Sequence, residues 1–152
     1  MLTRTHLAIT LFFVLIFLNS FQDKISFVVI ALISALIPDI DSKFSRLGKQ
    51  KIFRILQFFI KHRGIFHSFT FLIIITLFFV LFYPIVAFPL FLGYGLHLFA
   101  DSFTRRGIRP FYPLKNKFSG IVLVGGFTDI SLFLGFAFFD LIFIGIRIYG
   151  YF

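Results

Sequence analysis

Residues 68–100 read SFTFLIIITLFFVLFYPIVAFPLFLGYGLHLFA. The run is almost continuously apolar and too long for a single membrane crossing of about 20 residues. Tyr83-Pro84 breaks it and Pro89 follows. A proline removes a backbone donor and crowds the preceding turn, so the stretch predicts a helical hairpin of two spans. Polar residues gather at its ends, with His67 just before it and His97 and Asp101 where it closes.

Three further apolar runs flank the hairpin, at residues 7–18, 25–37 and 130–148. The run at 25–37 stops at Pro38 and is barely long enough for a hydrocarbon core of roughly 30 Å, so tilt or local thinning would help it across. The first run follows Arg4 as a signal peptide's core might, but Asn19-Ser20-Phe21-Gln22 offers no A-x-A-like cleavage site, and it is read as a retained span. Composition agrees: 59% of the 152 residues are hydrophobic and the mean hydropathy is +1.01, above the soluble norm of about half apolar. The expected fold is an all-α polytopic membrane bundle. It forms one domain over residues 1–152, with about five transmembrane helices.

The charge sets an orientation. Residues 39–67 carry Lys43, Arg46, Lys49, Lys51, Arg54, Lys61 and Arg63, and residues 101–128 carry Arg105, Arg106, Arg109, Lys115 and Lys117. The opposite loops hold only Lys24. The positive-inside rule then puts both long loops and the N-terminus in the cytoplasm, at the inner membrane face, and the C-terminus outside. Within the first loop, Ile52, Phe53, Ile55, Leu56, Phe59 and Ile60 alternate at helical spacing with Lys51, Arg54, Gln57 and Lys61, which predicts an amphipathic helix lying in the interface.

Cysteine is absent, which excludes disulfides, thiolate metal sites and a Cys nucleophile. Any metal must therefore rest on His and Asp, since all six acids are Asp. In this topology His6, Asp39, Asp41, His62, His67, His97, Asp101 and Asp129 all fall at cytoplasmic span ends. Polar residues collect at span ends in any case because burial is costly. That tendency does not explain why the outer ends hold no His and only Asp23, and a shared metal site does.

Each motif keeps two readings. His97 and Asp101 are i and i+4 on one helix face, a usual donor pair for zinc or another divalent ion, and equally an ordinary hydrogen-bonded pair. Asp39-Ile40-Asp41 after Pro38 can turn two carboxylates toward a cation or cap a turn. His62 and His67 offer two imidazoles across Gly64, with Ser68 and Thr70 positioned to cap the next span. Arg63 is a phosphate contact or a topogenic charge. Asp140 lies roughly 16 Å deeper than Asp129 on the last helix and reads as a packing or hydrogen-bonding residue.

At these residues the sequence resembles the YdjM-type family of membrane-associated metal-dependent hydrolases. The resemblance runs from His6 to about Asp129. It is carried by His6, Leu36-Ile37-Pro38-Asp39-Ile40-Asp41-Ser42, the His62-Arg63-Gly64 to His67-Ser68 block, Gly93-Tyr94-Gly95-Leu96-His97 through Asp101, and then Gly107 and Pro113. It implies His6, Asp39, Asp41, His62, His67, His97 and Asp101 as a polar constellation. The family's late acidic position, usually Glu, falls on the shorter Asp129. The pattern is more distantly similar to zinc-dependent phospholipase C and related nucleases, and the reaction class rests on that analogy.

The expectation is a hydrolase binding two or three divalent ions, zinc first and manganese or magnesium as alternatives. It would cleave a phosphoester of a phospholipid or lipid-linked phosphate, with the bilayer as partner and no nucleic acid. Asp39, Asp41 and Arg63 are the expected catalytic residues, one carboxylate orienting the attacking water. Arg63, Ser68, Arg105 and Arg106 are the expected substrate contacts. Two rivals remain: a metal-ion transporter, which needs ligands inside the spans where only Asp140 lies, and an adaptor that binds anionic partners through the basic loops.

Overall fold

The computed structural model describes residues 1–41 and 65–150, and for Ile40 and Asp41 the backbone alone. The interfacial helix expected at 51–61, and His62 and Arg63 beside it, lie outside the described residues. The rest is all-helical. Five α-helices follow one another: α1 (Thr3–Phe17), α2 (Lys24–Ser34), α3 (Phe69–Phe82), α4 (Pro84–Ser102) and α5 (Phe127–Tyr149). Short 3-10 turns at Leu18–Ser20, Ile37–Asp41 and Ile65–His67 adjoin them.

Each apolar run has thus become a helix, but their lengths differ. Among the described residues, three segments are long and apolar enough to cross a membrane: Thr3–Ser20, Pro84–Ser102 and Phe127–Tyr149. At 1.5 Å per residue, α2 and α3 reach only roughly 17 and 21 Å. Tyr83, non-helical at φ −145° and ψ 71°, ends α3 and opens α4, and Pro84 follows at the first helical position, where its missing N–H costs nothing. Pro89, expected to interrupt the run, instead sits buried inside α4. The helix carries it by giving up one i→i−4 bond.

Helix α4 packs on α1, α2 and α3, and α1 packs on α2 and α5. The closest approach is between α2 and α4. A Cβ on Gly93 would lie 2.0 Å from the carbonyl oxygen of Ala31, so only glycine lets the two backbones meet there. Tyr94, Leu72, Leu90, Leu98 and Ile108 form the core on the α3 side, and Val14, Phe27 and Ala31 form a second one.

Helix α5 is tied to α1 by polar contacts at its two ends. At the first, the buried Asp129 carboxylate accepts from Leu2 N at 3.0 Å, Thr5 Oγ1 at 2.7 Å and Gly125 N at 2.8 Å. At the other, Arg147 donates to Asn19 Oδ1 at 2.7 Å and to the Leu15 carbonyl. Between them Phe12 meets Phe136 and Phe143 edge-on. The two helices therefore run parallel. The loop from α4 to α5 folds back on itself through bridges between Thr104 and Val122 and between Ile108 and Phe118. Its Pro110 carbonyl accepts from Phe69 N at 2.8 Å, giving one of the orphan amides at the start of α3 a partner.

Two stability outcomes follow. Gly93→Ala should destabilise the protein by about 1–3 kcal/mol through overpacking, while Gly145→Ala, with open space around it, should leave the unfolding temperature in detergent unchanged or raised. Asp129→Ala strands three donors and should cost about 2–4 kcal/mol, read in the same thermal assay.

Candidate metal centre

Four helical segments deliver the polar side chains to one end of the bundle. His6 comes from the first turns of α1, and His97 and Asp101 from the last turns of α4, one turn apart as their spacing predicts. Asp39 comes from the 3-10 turn Ile37–Asp41, and His67 from the turn Ile65–His67 that leads into α3. His6, His67, His97 and Asp101 are each no more than 2% exposed. Asp39 is half-buried at the rim.

The rings of His6 and His97 stack with centroids 3.8 Å apart and planes 11° from parallel. His67 meets His97 edge-on at 5.6 Å. Asp101 lies between two imidazoles, with Oδ1 3.3 Å from His6 Nε2 and Oδ2 3.9 Å from His67 Nε2. His97 Nε2 is 3.9 Å from Asp39 Oδ1. The N-terminal ammonium of Met1 also rests on Asp101 Oδ1, so positive charge already stands at this carboxylate.

His97 is oriented from behind. Its Nδ1 lies 2.7 Å from the Ala35 carbonyl oxygen. A carbonyl only accepts, so Nδ1 carries the proton and Nε2 presents a lone pair to the cluster. That Nε2 is buried without a hydrogen-bond partner, as is Nδ1 of His6. A backbone carbonyl on one imidazole nitrogen, with the other left open, is the usual support for a metal-ligating histidine.

Two groups of ligand atoms result, His6 with His97 and Asp101, and Asp39 with His67 and His97, each with its atoms within 4.8 Å of one another. Ligands 2.0–2.1 Å from a tetrahedral zinc stand about 3.3 Å apart. The contacts of 3.3 and 3.9 Å are at or slightly above that spacing, and the donor set of imidazole and carboxylate suits zinc or manganese. The residues fit a divalent ion. Burial pushes the Asp39 carboxyl above its ordinary range, against the lowering pull of His6 and His67, and a nearby divalent cation would favour the ionised form.

The other expected residues have different placements. Asp129 belongs to neither group, and its two oxygens are occupied by the three donors that tie α5 to the N-terminal segment. Ser68 Oγ accepts from Phe71 N at 3.2 Å and donates to the Ile65 carbonyl at 2.6 Å. The first caps α3, and the second steadies the turn that bears His67. Arg105 and Arg106 are exposed on the loop after α4. The Asp41 side chain, His62 and Arg63 lie outside the described residues.

Reading the sequence missed Tyr94. It is fully buried, and its hydroxyl donates to the Phe66 carbonyl at 2.6 Å, fixing the backbone next to His67. A signal was available, because a tyrosine deep in an apolar helix needs a partner for its O–H and Tyr94 precedes His97 by three residues. The Ala35 carbonyl gives no such sign, since every residue has one.

No curated protein and no solved structure matches the chain, and the likeness to zinc-dependent phospholipase C is not shown. A family model described as YdjM inner membrane protein matches residues 1–150. With nearly the whole length covered, and with the motif residues at His6, Asp39, His67, His97 and Asp101 brought together at one end of a helical bundle, the chain belongs to the YdjM inner membrane protein family.

Proposed function

We propose that this protein is a membrane-embedded, metal-dependent hydrolase that cleaves a phosphoester of a lipid or lipid-linked substrate at the cytoplasmic surface. The observation that carries the reading is the buried Nε2 of His97, open toward both ligand groups and held by its backbone hydrogen bond. Asp101, with one oxygen toward His6 and the other toward His67, would hold an ion together with His6 and His97. Zinc is the first choice, with manganese or magnesium as alternatives. A divalent ion held there supplies Lewis-acid neutralisation of a phosphoryl oxygen and a more acidic water.

The protein's own residues do the rest. His6, His67, His97 and Asp101 hold the centre, and the surrounding apolar side chains exclude bulk water and strengthen every charge interaction inside. Asp39, at the rim and less buried than the others, is positioned to orient the attacking water and take its proton, with Asp41 beside it in sequence as a second candidate. Arg63, Arg105 and Arg106 supply phosphate contacts from the two basic loops. A site at the end of span-length helices, flanked by these loops, faces lipid head groups. The transporter reading ranks second, because among the described residues Asp140 is the one carboxylate set well inside a span-length helix.

Purified protein should contain near-stoichiometric zinc or manganese by elemental analysis, and His97→Ala and Asp101→Ala should lose most of it. Metal-free protein after chelator-free purification would count against the reading. In a phosphoester panel of phospholipids, isoprenoid phosphates and nucleotides, activity should be abolished by chelator. Asp39→Asn should cut the rate by about 10²–10⁴-fold and Asp39→Ala should lose the ion that Asp39, His67 and His97 would hold; full activity in Asp39→Ala would remove that carboxylate from the site.

A further inference from the structure

A second feature lies on the other side of α1. Arg4, Leu7 and Leu11 of α1 and Phe133, Ala137 and Asp140 of α5 line a cavity of about 500 Å³, with α2 contributing Leu32. At 100° per residue, positions 4, 7, 8 and 11 share one face of α1 and His6 projects from roughly the opposite one. The cavity is therefore separated from the His cluster by the helix itself. Its size falls within the roughly 300–1,000 Å³ of small-ligand sites, and its walls are apolar except for two residues.

Those two residues give it a direction. Arg4 is exposed at the end where Asp129 ties the helices together, with its guanidinium carbon 4.9 Å from the centre of the Phe133 ring. Asp140 is 5% exposed, and its Oδ1 is buried with no hydrogen-bond partner. Asp140 follows Asp129 by eleven residues, about 16 Å along the axis, and α5 runs parallel to α1. A cationic contact thus stands near the membrane surface and an unsatisfied acceptor well below it, joined by an apolar wall. An unpaired buried oxygen is costly unless something supplies a donor.

We propose that this groove binds the hydrocarbon chain of an anionic amphiphile that carries a hydroxyl along the chain. The anionic head lies against Arg4, the chain runs along Leu7, Leu11 and Ala137, and the hydroxyl donates to Asp140. The charge at Arg4 selects an anionic head, and the depth of Asp140 requires the donor to sit on the chain and not in the head. No bond is made or broken, so the site is a binding site separate from the hydrolytic one.

The test uses the full-length protein in detergent micelles, with stearate and hydroxystearates bearing the hydroxyl near the head, at mid-chain or near the tail. A ligand that binds the folded state raises its unfolding temperature with concentration, which yields an apparent affinity. One hydroxystearate, with its hydroxyl at the register of Asp140, should bind roughly 2- to 10-fold more tightly than stearate, as one hydrogen bond allows. Asp140→Leu should erase that preference without loss of folding, since it removes an unpaired polar group. Asp140→Asn, which keeps an acceptor oxygen, should retain it, and Arg4→Gln should weaken all the anionic probes alike. Equal binding of stearate and every hydroxystearate would overturn the proposal, as would a preference that survives Asp140→Leu. A change in oligomeric mass on Asp140→Leu with no change in ligand preference would also overturn it, by giving the groove to a second copy of the chain. None of the probes contains a phosphoester, so either outcome leaves the hydrolase reading to its own test.

Discussion

Where α2 and α4 cross, Gly93 rests on the carbonyl of Ala31. One helical turn further along each chain, the Ala35 carbonyl meets Nδ1 of His97. The two contacts share a register, four residues apart on both helices, so the absence of a side chain at 93 is what allows the imidazole at 97 to be held. From that bond the rest of the centre follows. With Nδ1 committed to the backbone, Nε2 must face inward, toward Asp39 on the turn that α2 enters after Ala35 and toward the carboxylate one turn below on α4. A bulkier residue at 93 would part the helices, and His97 would lose both its tautomer and its aim.

Holding three imidazoles and Asp101 within an apolar bundle end is costly by itself. Polar groups removed from water need partners, and here they are only partly supplied: His6 and His97 stack face to face, with Nδ1 of His6 and Nε2 of His97 left open. Nothing in helix packing calls for such a stack. Apolar residues of similar volume would fill the same space at lower cost, as buried ionic groups in general can be replaced. A divalent cation, as proposed above, would offset that cost by joining the open nitrogens to the carboxylates. Tyr94, Ser68 and the Pro110 carbonyl reinforce this, since all three act on the short segment that carries His67.

How much of this was legible in the sequence depended on whether a feature is local. The hairpin break at Tyr83-Pro84 and the placement of His97 and Asp101 one turn apart on one helix follow from proline geometry and the 3.6-residue turn, and both appear as read. Pro89 carries the same local signal as Pro84 but sits within a helix that tertiary packing holds together. Span length was less legible. The apolar run at 25–37 looks continuous to Pro38, yet the regular helix ends at Ser34, where the chain tightens toward the turn that presents Asp39. The hydropathy of those last residues reflects burial in the protein and not contact with lipid. Asp129 exposes the limit most directly. An aspartate at a helix start near other ligands is chemically eligible for both cap and ligand, and only the approach of Leu2 and Thr5 from the far end of the sequence occupies it.

Helix α1 shows how one short amphipathic pattern serves two environments. Its face bearing His6 is committed to the polar cluster, and its face bearing Arg4, Leu7 and Leu11 looks toward α5 and the membrane. Because α5 is tied down by Asp129 at one end and Arg147 at the other, the two helices need not close along their whole length. Beside the Phe12 contacts, one side of the pair stays open where small residues such as Ala8 and Ala137 leave room. A fully packed α1–α5 seam would bury Asp140 against hydrocarbon with nothing to satisfy it, whereas an open one gives its carboxyl access to a donor brought from the bilayer. The polar contacts at the helix ends, with Phe12 between them, set the position of α5, and the small residues beside Phe12 leave the groove.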